Sequence, residues 1–171
     1  MNSIVSATED DFQLLSEIAT ASFIESHGHS AQAEDINRYV SEKYSESAFK
    51  EELNDAKNLY HIIYHNDRAA GYSKIVLNTP YSGSLINNIV KLERFYLLKE
   101  FYHLKLGGEL FQFNVDLSIR NNQTGMWLFV WKENPRAVNF YKKNGFLVIG
   151  SHDFKISETH SNPNHLMLLK F

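Results

Sequence analysis

Cysteine is absent from the 171-residue chain. That excludes a disulfide scaffold, a thiolate nucleophile, a zinc finger and a thiolate-bound iron–sulfur cluster. Proline and glycine are sparse, three and eight, and they stand at punctuation points rather than in a linker or low-complexity tract. No apolar run approaches the roughly 20 residues that span a bilayer. A strong charge of one sign is lacking too: the net charge is −3 and the pI about 6.2, without the basic footprint of a general nucleic-acid binder. Met1 to Asp11 has neither the basic start nor the apolar core of a secretory signal. The expectation is a cytoplasmic protein with neither nucleic acid nor membrane as partner. What remains is ordinary globular composition, 43% hydrophobic and 22% charged. The length suits one domain, 1–171, at about 100–200 residues per domain, burying about two thirds of its extended surface.

What is present is periodicity. Ile4 to Ser6 reads as a short strand. Asp10 to Phe23 has helical spacing through Phe12, Leu15, Ile18, Ala19 and Phe23, and Ser26 to Ser30 breaks it. Asp35 to Tyr44 and Ser45 to Asp55 read as two further helices. Leu59 to Tyr64 and Ala69 to Leu77 form a hairpin around His65-Asn66-Asp67-Arg68. After a loop from Thr79 to Asn88 come a strand (Ile89 to Leu98), a helix (Leu106 to Ile119) and a strand (Met126 to Trp131). A helix (Asn134 to Asn144) and two strands (Phe146 to Lys155, Leu166 to Phe171) complete the chain. Strands alternating with single helices imply parallel pairing within a mixed sheet, an α/β arrangement.

Two segments carry chemistry. Asn134 is a favoured N-cap and Pro135 is pre-shaped for a first helical turn, while Lys142, Lys143 and Gly145 close the helix. The whole run from Val130 through Asn134, Ala137, Phe140 and Tyr141 to Gly145-Phe146 resembles the V-x-x-x-N-x-x-A-x-x-F-Y-x-x-x-G-F signature of the GNAT superfamily of N-acetyltransferases, every fixed position matching. One βα unit upstream, the superfamily places a Q/R-x-x-G-x-G/A loop at a helix N-terminus. Here Tyr102-His103-Leu104-Lys105-Leu106-Gly107 stands there, with only Gly107 matching and Gly108 following. A helix N-terminus offers unpaired N–H groups and a positive dipole end to a diphosphate, and His103 and Lys105 add positive charge. Lys105 stands where glycine would take a positive φ without cost. A narrower likeness covers most of the chain: Phe23, Tyr39, Ala70-Gly71-Tyr72, Lys74, Leu92-Glu93-Arg94, Tyr96, Trp127-Leu128, Val130-Trp131, Asn134, Gly145-Phe146, His152, Phe154 and Leu166-Met167 are similar to bacterial spermine/spermidine N-acetyltransferases of the PaiA type.

The resemblance implies a GNAT fold: a mixed, bent sheet of about six to seven strands, splayed central parallel strands and helices on both faces. It implies acetyl-CoA as co-substrate, no metal, and direct attack by a primary amine, a polyamine or another small cationic amine. Phe95, Tyr96 and Leu97 would contact the pantetheine arm and polarise the thioester carbonyl, an oxyanion-hole device. Tyr102, His103, Leu104, Lys105, Leu106, Gly107 and Gly108 would hold the diphosphate. Asn134, Arg136, Ala137, Phe140 and Tyr141 would complete the cofactor site, with Asn134 on the pantetheine amide. Glu93 is the candidate base and acceptor contact, and Tyr141 the proton donor to the leaving thiolate. Phe23 and Tyr39 would line the acceptor pocket. The alternatives are peptide or protein amine acetylation, and a non-catalytic acyl-CoA-binding sensor. Relatives of this kind suggest a homodimer.

Each assignment has a plainer reading. Glu93 is either the base or an ion-pair partner for Arg94 or Lys91. Tyr141 is either the acid or a core aromatic. Gly107 is either a phosphate contact or a packing glycine, and Trp127 and Trp131 read as core and pocket wall. His27 and His29 flank Gly28, and His61 and His65 lie four apart on a strand, where that spacing does not converge on one metal as it would on a helix. The acidic residues Glu25, Glu34, Asp35, Glu42, Glu46, Glu51 and Glu52 read as the solvated face of the N-terminal helices, or as a wall that steers cationic amines.

Overall fold

Short-range chemistry sets most element ends. Ser45 caps a helix by accepting from the Ala48 amide at 3.2 Å, and Asn134 caps another by accepting from Ala137 at 3.1 Å. Asn66 and Asp67 take φ of 47° and 62°, the paired left-handed values of a two-residue hairpin turn. The computed structural model describes residues 1–171. Its strands are β1 (Asn2–Ser6), β2 (Asn58–His65), β3 (Arg68–Val76), β4 (Val90–Leu97), β5 (Gly125–Trp131), β6 (Leu147–Lys155) and β7 (Ser161–Lys170). Its helices are α1 (Phe12–His27), α2 (Ala33–Lys43), α3 (Glu46–Leu53), α4 (Leu106–Arg120) and α5 (Pro135–Lys143). The strands form a seven-stranded sheet in the order β1-β2-β3-β4-β5-β7-β6. Only β4 and β5 are paired parallel among the registers described, at Val90–Met126 and Lys91–Trp127. The expected mixed sheet and element order are therefore present.

Three segments differ from expectation. α1 continues past Phe23 to His27 and ends at Gly28, and the Ser22 and Ser26 hydroxyls, inside the helix, donate back to the Ile18 and Ser22 carbonyls at 2.6 and 2.8 Å. Lys99–Leu104 forms a 3-10 turn. β7 starts at Ser161, ahead of the expected Leu166, because β6 pairs with it from Lys155–Ser161 onward and gives this polar stretch a hydrogen-bonded partner.

The chain divides into two compact units, Met1–Ile75 with Arg94–Asn114, and Val76–Glu93 with Val115–Phe171. The core of the first includes Ile63, Ala70, Phe101, Leu106 and Leu110, with Leu15, Ala19, Phe49 and Tyr72 fully buried. The second packs Ile89, Trp127 and Leu168 with Tyr81, Phe129 and Leu166, and Trp127 donates to the Thr79 carbonyl at 2.6 Å.

Candidate functional site

In the second unit, α5 carries the best-defined motif. Asn134 spends its side-chain oxygen on the Ala137 amide, which leaves its Nδ2–H₂ as the group able to serve a ligand. Arg136 is exposed, Ala137 and Phe140 are half-buried, and Tyr141 is buried. The Tyr141 ring meets Phe140 and Phe146 edge-on at 5.5 and 5.4 Å. It is therefore a core aromatic as well as the motif tyrosine. Gly145 closes the helix with φ of 90°, a value that costs glycine little and other residues more.

Glu93 lies near the middle of β4. Its Oε1 is 3.6 Å from Lys91 Nζ, with the side chains 33% and 24% exposed. Of the two partners the sequence offered, Lys91 is the one it meets. Strand alternation explains this: residues two apart share a face and the next residue turns away.

In the first unit, Arg94 turns instead to Glu52 and Tyr60. Its Nη2 donates to Glu52 Oε1 at 2.9 Å and its Nη1 to the Tyr60 hydroxyl at 2.7 Å. Lys74 Nζ donates to Glu52 Oε2 at 2.7 Å, and the Tyr60 hydroxyl also donates to that oxygen. Glu52 is thus not part of a solvated helix face as expected. The α3 residue three positions after the buried Phe49 faces β2, β3 and β4 instead. Burial pushes the Glu52 carboxyl up, but Arg94 and the Lys74 and Tyr60 hydrogen bonds outweigh it and hold the group below its ordinary value. The sequence signal for this cluster was an arginine and a lysine on strands that otherwise read as buried. Nothing local named their partner.

Phe23 and Tyr39, the expected acceptor wall, stack at 5.0 Å. Phe23 also meets His27 at 4.8 Å, Tyr44 at 5.3 Å and Tyr96 at 6.4 Å. Phe23 is buried and Tyr39 half-buried, so only Tyr39 retains appreciable surface. Burial, with His29 adding a smaller push, lowers the His27 pKa to about 4, which keeps it neutral near pH 7.

Phe95, Leu97 and Leu104 pack on the first unit's core, and Leu106 belongs to it. Their side chains serve packing, so a ligand would meet their backbone. At Gly71 an added Cβ would lie 2.3 Å from the Tyr96 carbonyl oxygen, so only glycine allows β3 this close to β4. Lys105 takes φ 60° and ψ 10°, the left-handed conformation that the glycine of the motif would supply freely. Lys105, His103 and Gly108 are exposed, Tyr102 and Gly107 half-exposed, and a Cβ at Gly108 would meet open space. Exposed cations beside the first turn of a 15-residue helix fit a diphosphate. No group of three or more His, Asp or Glu side chains is arranged to hold a metal ion, and no helix is long and apolar enough to cross a membrane.

Comparison with known proteins finds relatives for the chain as a whole. The profile described as the acetyltransferase (GNAT) family matches residues 14–146. An uncharacterized N-acetyltransferase from the pepI 3′ region of Lactobacillus delbrueckii subsp. lactis is 26% identical over 155 residues, covering 91% of this chain and 90% of the relative. Among solved structures, PaiA N-acetyltransferase from Thermoplasma acidophilum in complex with coenzyme A superposes with a TM-score of 0.80 at 23% identity, covering 100% of this chain and 99% of that one. The ribosomal-protein-S18-alanine N-acetyltransferase of Escherichia coli gives 0.73 at 17% identity, over 99% and 94%. The two likenesses establish a shared fold.

Proposed function

This chain belongs to the acetyltransferase (GNAT) family, and from that premise we propose that it acetylates a primary amine, a polyamine or another small cationic amine, by direct attack in a ternary complex. It is an N-acetyltransferase, and acetyl-CoA supplies the acetyl thioester. The observation that carries the reading is α5: the intact Val130–Phe146 run, with Asn134 capping the helix at Ala137 and Tyr141 buried on it.

The residues divide the work. Asn134 Nδ2 donates to a pantetheine carbonyl. The backbone of Phe95, Tyr96 and Leu97 holds the pantetheine arm and polarises the thioester carbonyl. The Tyr102–Gly108 turn, with Lys105 and His103, neutralises the diphosphate, and Arg136, Ala137 and Phe140 complete the cofactor contacts. Near pH 7 only about one in two thousand alkylamines is neutral, so a base has value, and Glu93 takes the proton directly or through water. Tyr141 donates to the departing thiolate. Tyr39, backed by the buried Phe23 ring, lines the acceptor side. The exposed Glu34, Glu42, Glu46 and Glu51 favour approach of cationic amines. Exposed Leu147, Val148 and Ile149 on the sheet-end strand β6 (71%, 43% and 43%) support a homodimer, which a monomer mass in light scattering would contradict.

The test begins with calorimetric titration of acetyl-CoA, expected to bind one per chain at micromolar strength. A panel of amines headed by spermidine, read by CoA release, follows. Binding without turnover on any amine would replace the enzyme reading with that of an acyl-CoA-binding module.

A further inference from the structure

The sheet face of the second unit that carries Glu93 also holds a polar group that the fold leaves unsatisfied. Asn164, on β7, is 7% exposed, and its Oδ1 is buried without a hydrogen-bond partner. Its neighbour two residues back, Asn162, is buried to a similar degree but bonded, with Oδ1 3.0 Å from His160 Nε2. A buried amide oxygen with no partner is destabilising, and such groups are rare enough to need a reason.

The register says what surrounds it. Asn164 stands opposite Trp131 of β5 on one side and His152 of β6 on the other, and residues opposed across strands share a face. Phe129, two residues before Trp131, lies on the same face and stacks on the His152 ring at 4.2 Å and 17°. Lys91 Nζ lies 6.0 Å from the Phe129 ring and 5.3 Å from the Trp127 ring, and 3.6 Å from the Glu93 carboxylate. One face therefore presents a carboxylate, an aromatic floor and an unused amide oxygen. Phe129 and Lys91 are half-buried, and Glu93 and His152 exposed, so solvent reaches these four side chains.

We propose that Asn164 is an acceptor-binding residue: its Oδ1 takes a hydrogen bond from the N–H of the incoming amine, whose adjoining methylenes lie on Phe129 backed by His152. This rests on the amine-acetylating reading above. An amide oxygen accepts from N–H and repels carboxylate or phosphate, and an aromatic face attracts an ammonium. The ligand class is an alkyl primary amine. Asn164 holds one N–H and so orients the amine on the sheet face that also carries Glu93.

The test uses Asn164→Leu and Asn164→Ala in the full chain. A structural amide would lose stability on replacement. This one has no bond to lose, so Tm stays level or rises in the leucine variant. Acetyl-CoA affinity stays within twofold. The KM for the best amine of the panel rises about 10- to 100-fold, the loss of a hydrogen bond to a charged group. The calorimetric affinity of spermidine and n-butylamine for CoA-saturated protein falls in parallel. Amine KM and affinity within twofold of wild type in both variants overturn the assignment to Asn164 while the enzyme reading stands. So does a loss of several degrees in Tm with amine binding intact. A wild type that neither binds nor acetylates any amine overturns the amine reading itself, and this assignment with it.

Discussion

Arg94 Nη2 donates to Glu52 Oε1 at 2.9 Å, closing a separation of 42 residues between β4 and α3. The same carboxylate receives Lys74 at 2.7 Å, and the Arg94 guanidinium lies over the Tyr44 and Phe49 rings at 5.0 and 5.5 Å. Replacing Glu52 by Gln leaves two buried cations without their counter-charge. The expected cost is about 3–5 kcal/mol, read as a Tm lower by about 6–20 °C at this chain length. A Tm within two degrees of wild type would show that these charges are solvated in solution.

Stability should fall as the solution is acidified from about pH 6.5. Burial lowers the pKa of both His27 and His61 to about 4, with His29 adding to the effect at His27. Above their ordinary value of 6.5 both are neutral folded or unfolded and contribute no slope. Between 6.5 and 4 only the unfolded chain takes up the protons, so each costs about 1.4 kcal/mol per pH unit. Glu52, held below its ordinary value, adds a loss at lower pH still. Thermal unfolding across pH 4–8 should show the decline. His61→Leu should flatten it, because His61 lies edge-on to Phe113 at 4.8 Å with a buried, unpartnered Nδ1. An equal slope in wild type and variant would contradict the assignment.

Lys105→Gly should move two properties in opposite directions. The left-handed backbone at φ 60° costs a side chain about 1–2 kcal/mol, so glycine should stabilise by up to about 1 kcal/mol once its own chain entropy is counted. The lost cation should weaken acetyl-CoA by about two- to fivefold, and less at high salt. Calorimetry reads both. Unchanged affinity at low salt would remove Lys105 from the diphosphate site.

Glu93→Gln and Tyr141→Phe should each lower kcat by about 10²-fold, with acetyl-CoA affinity nearly unchanged. The glutamine variant should regain rate as pH rises, because more amine is neutral without help. Unchanged rates in both would dissolve the acid and base roles and leave the fold untouched.

Much of the molecule was legible because its signals are local. Asn134 and Ala137 lie three residues apart and form one capping bond. Asn66 and Asp67 are adjacent and make one turn. Lys105 announced its conformation by standing where a motif glycine belongs. Glu93 was narrowed to two partners, and strand alternation selected Lys91.

The chain by itself determined the order of strands and helices, the caps and turns, and the Val130–Phe146 run that marks the family, since propensity and capping act over a few residues. Tertiary structure decided which charges are buried and which polar groups stay unpaired. Glu52 reads as one acid among several until Arg94 and Lys74 reach it from distant strands. Asn164 reads as loop until β6 and β5 pair on either side of it. A hydrogen bond or its absence across such separations depends on where the backbone brings two strands together, and no short-range pattern encodes that.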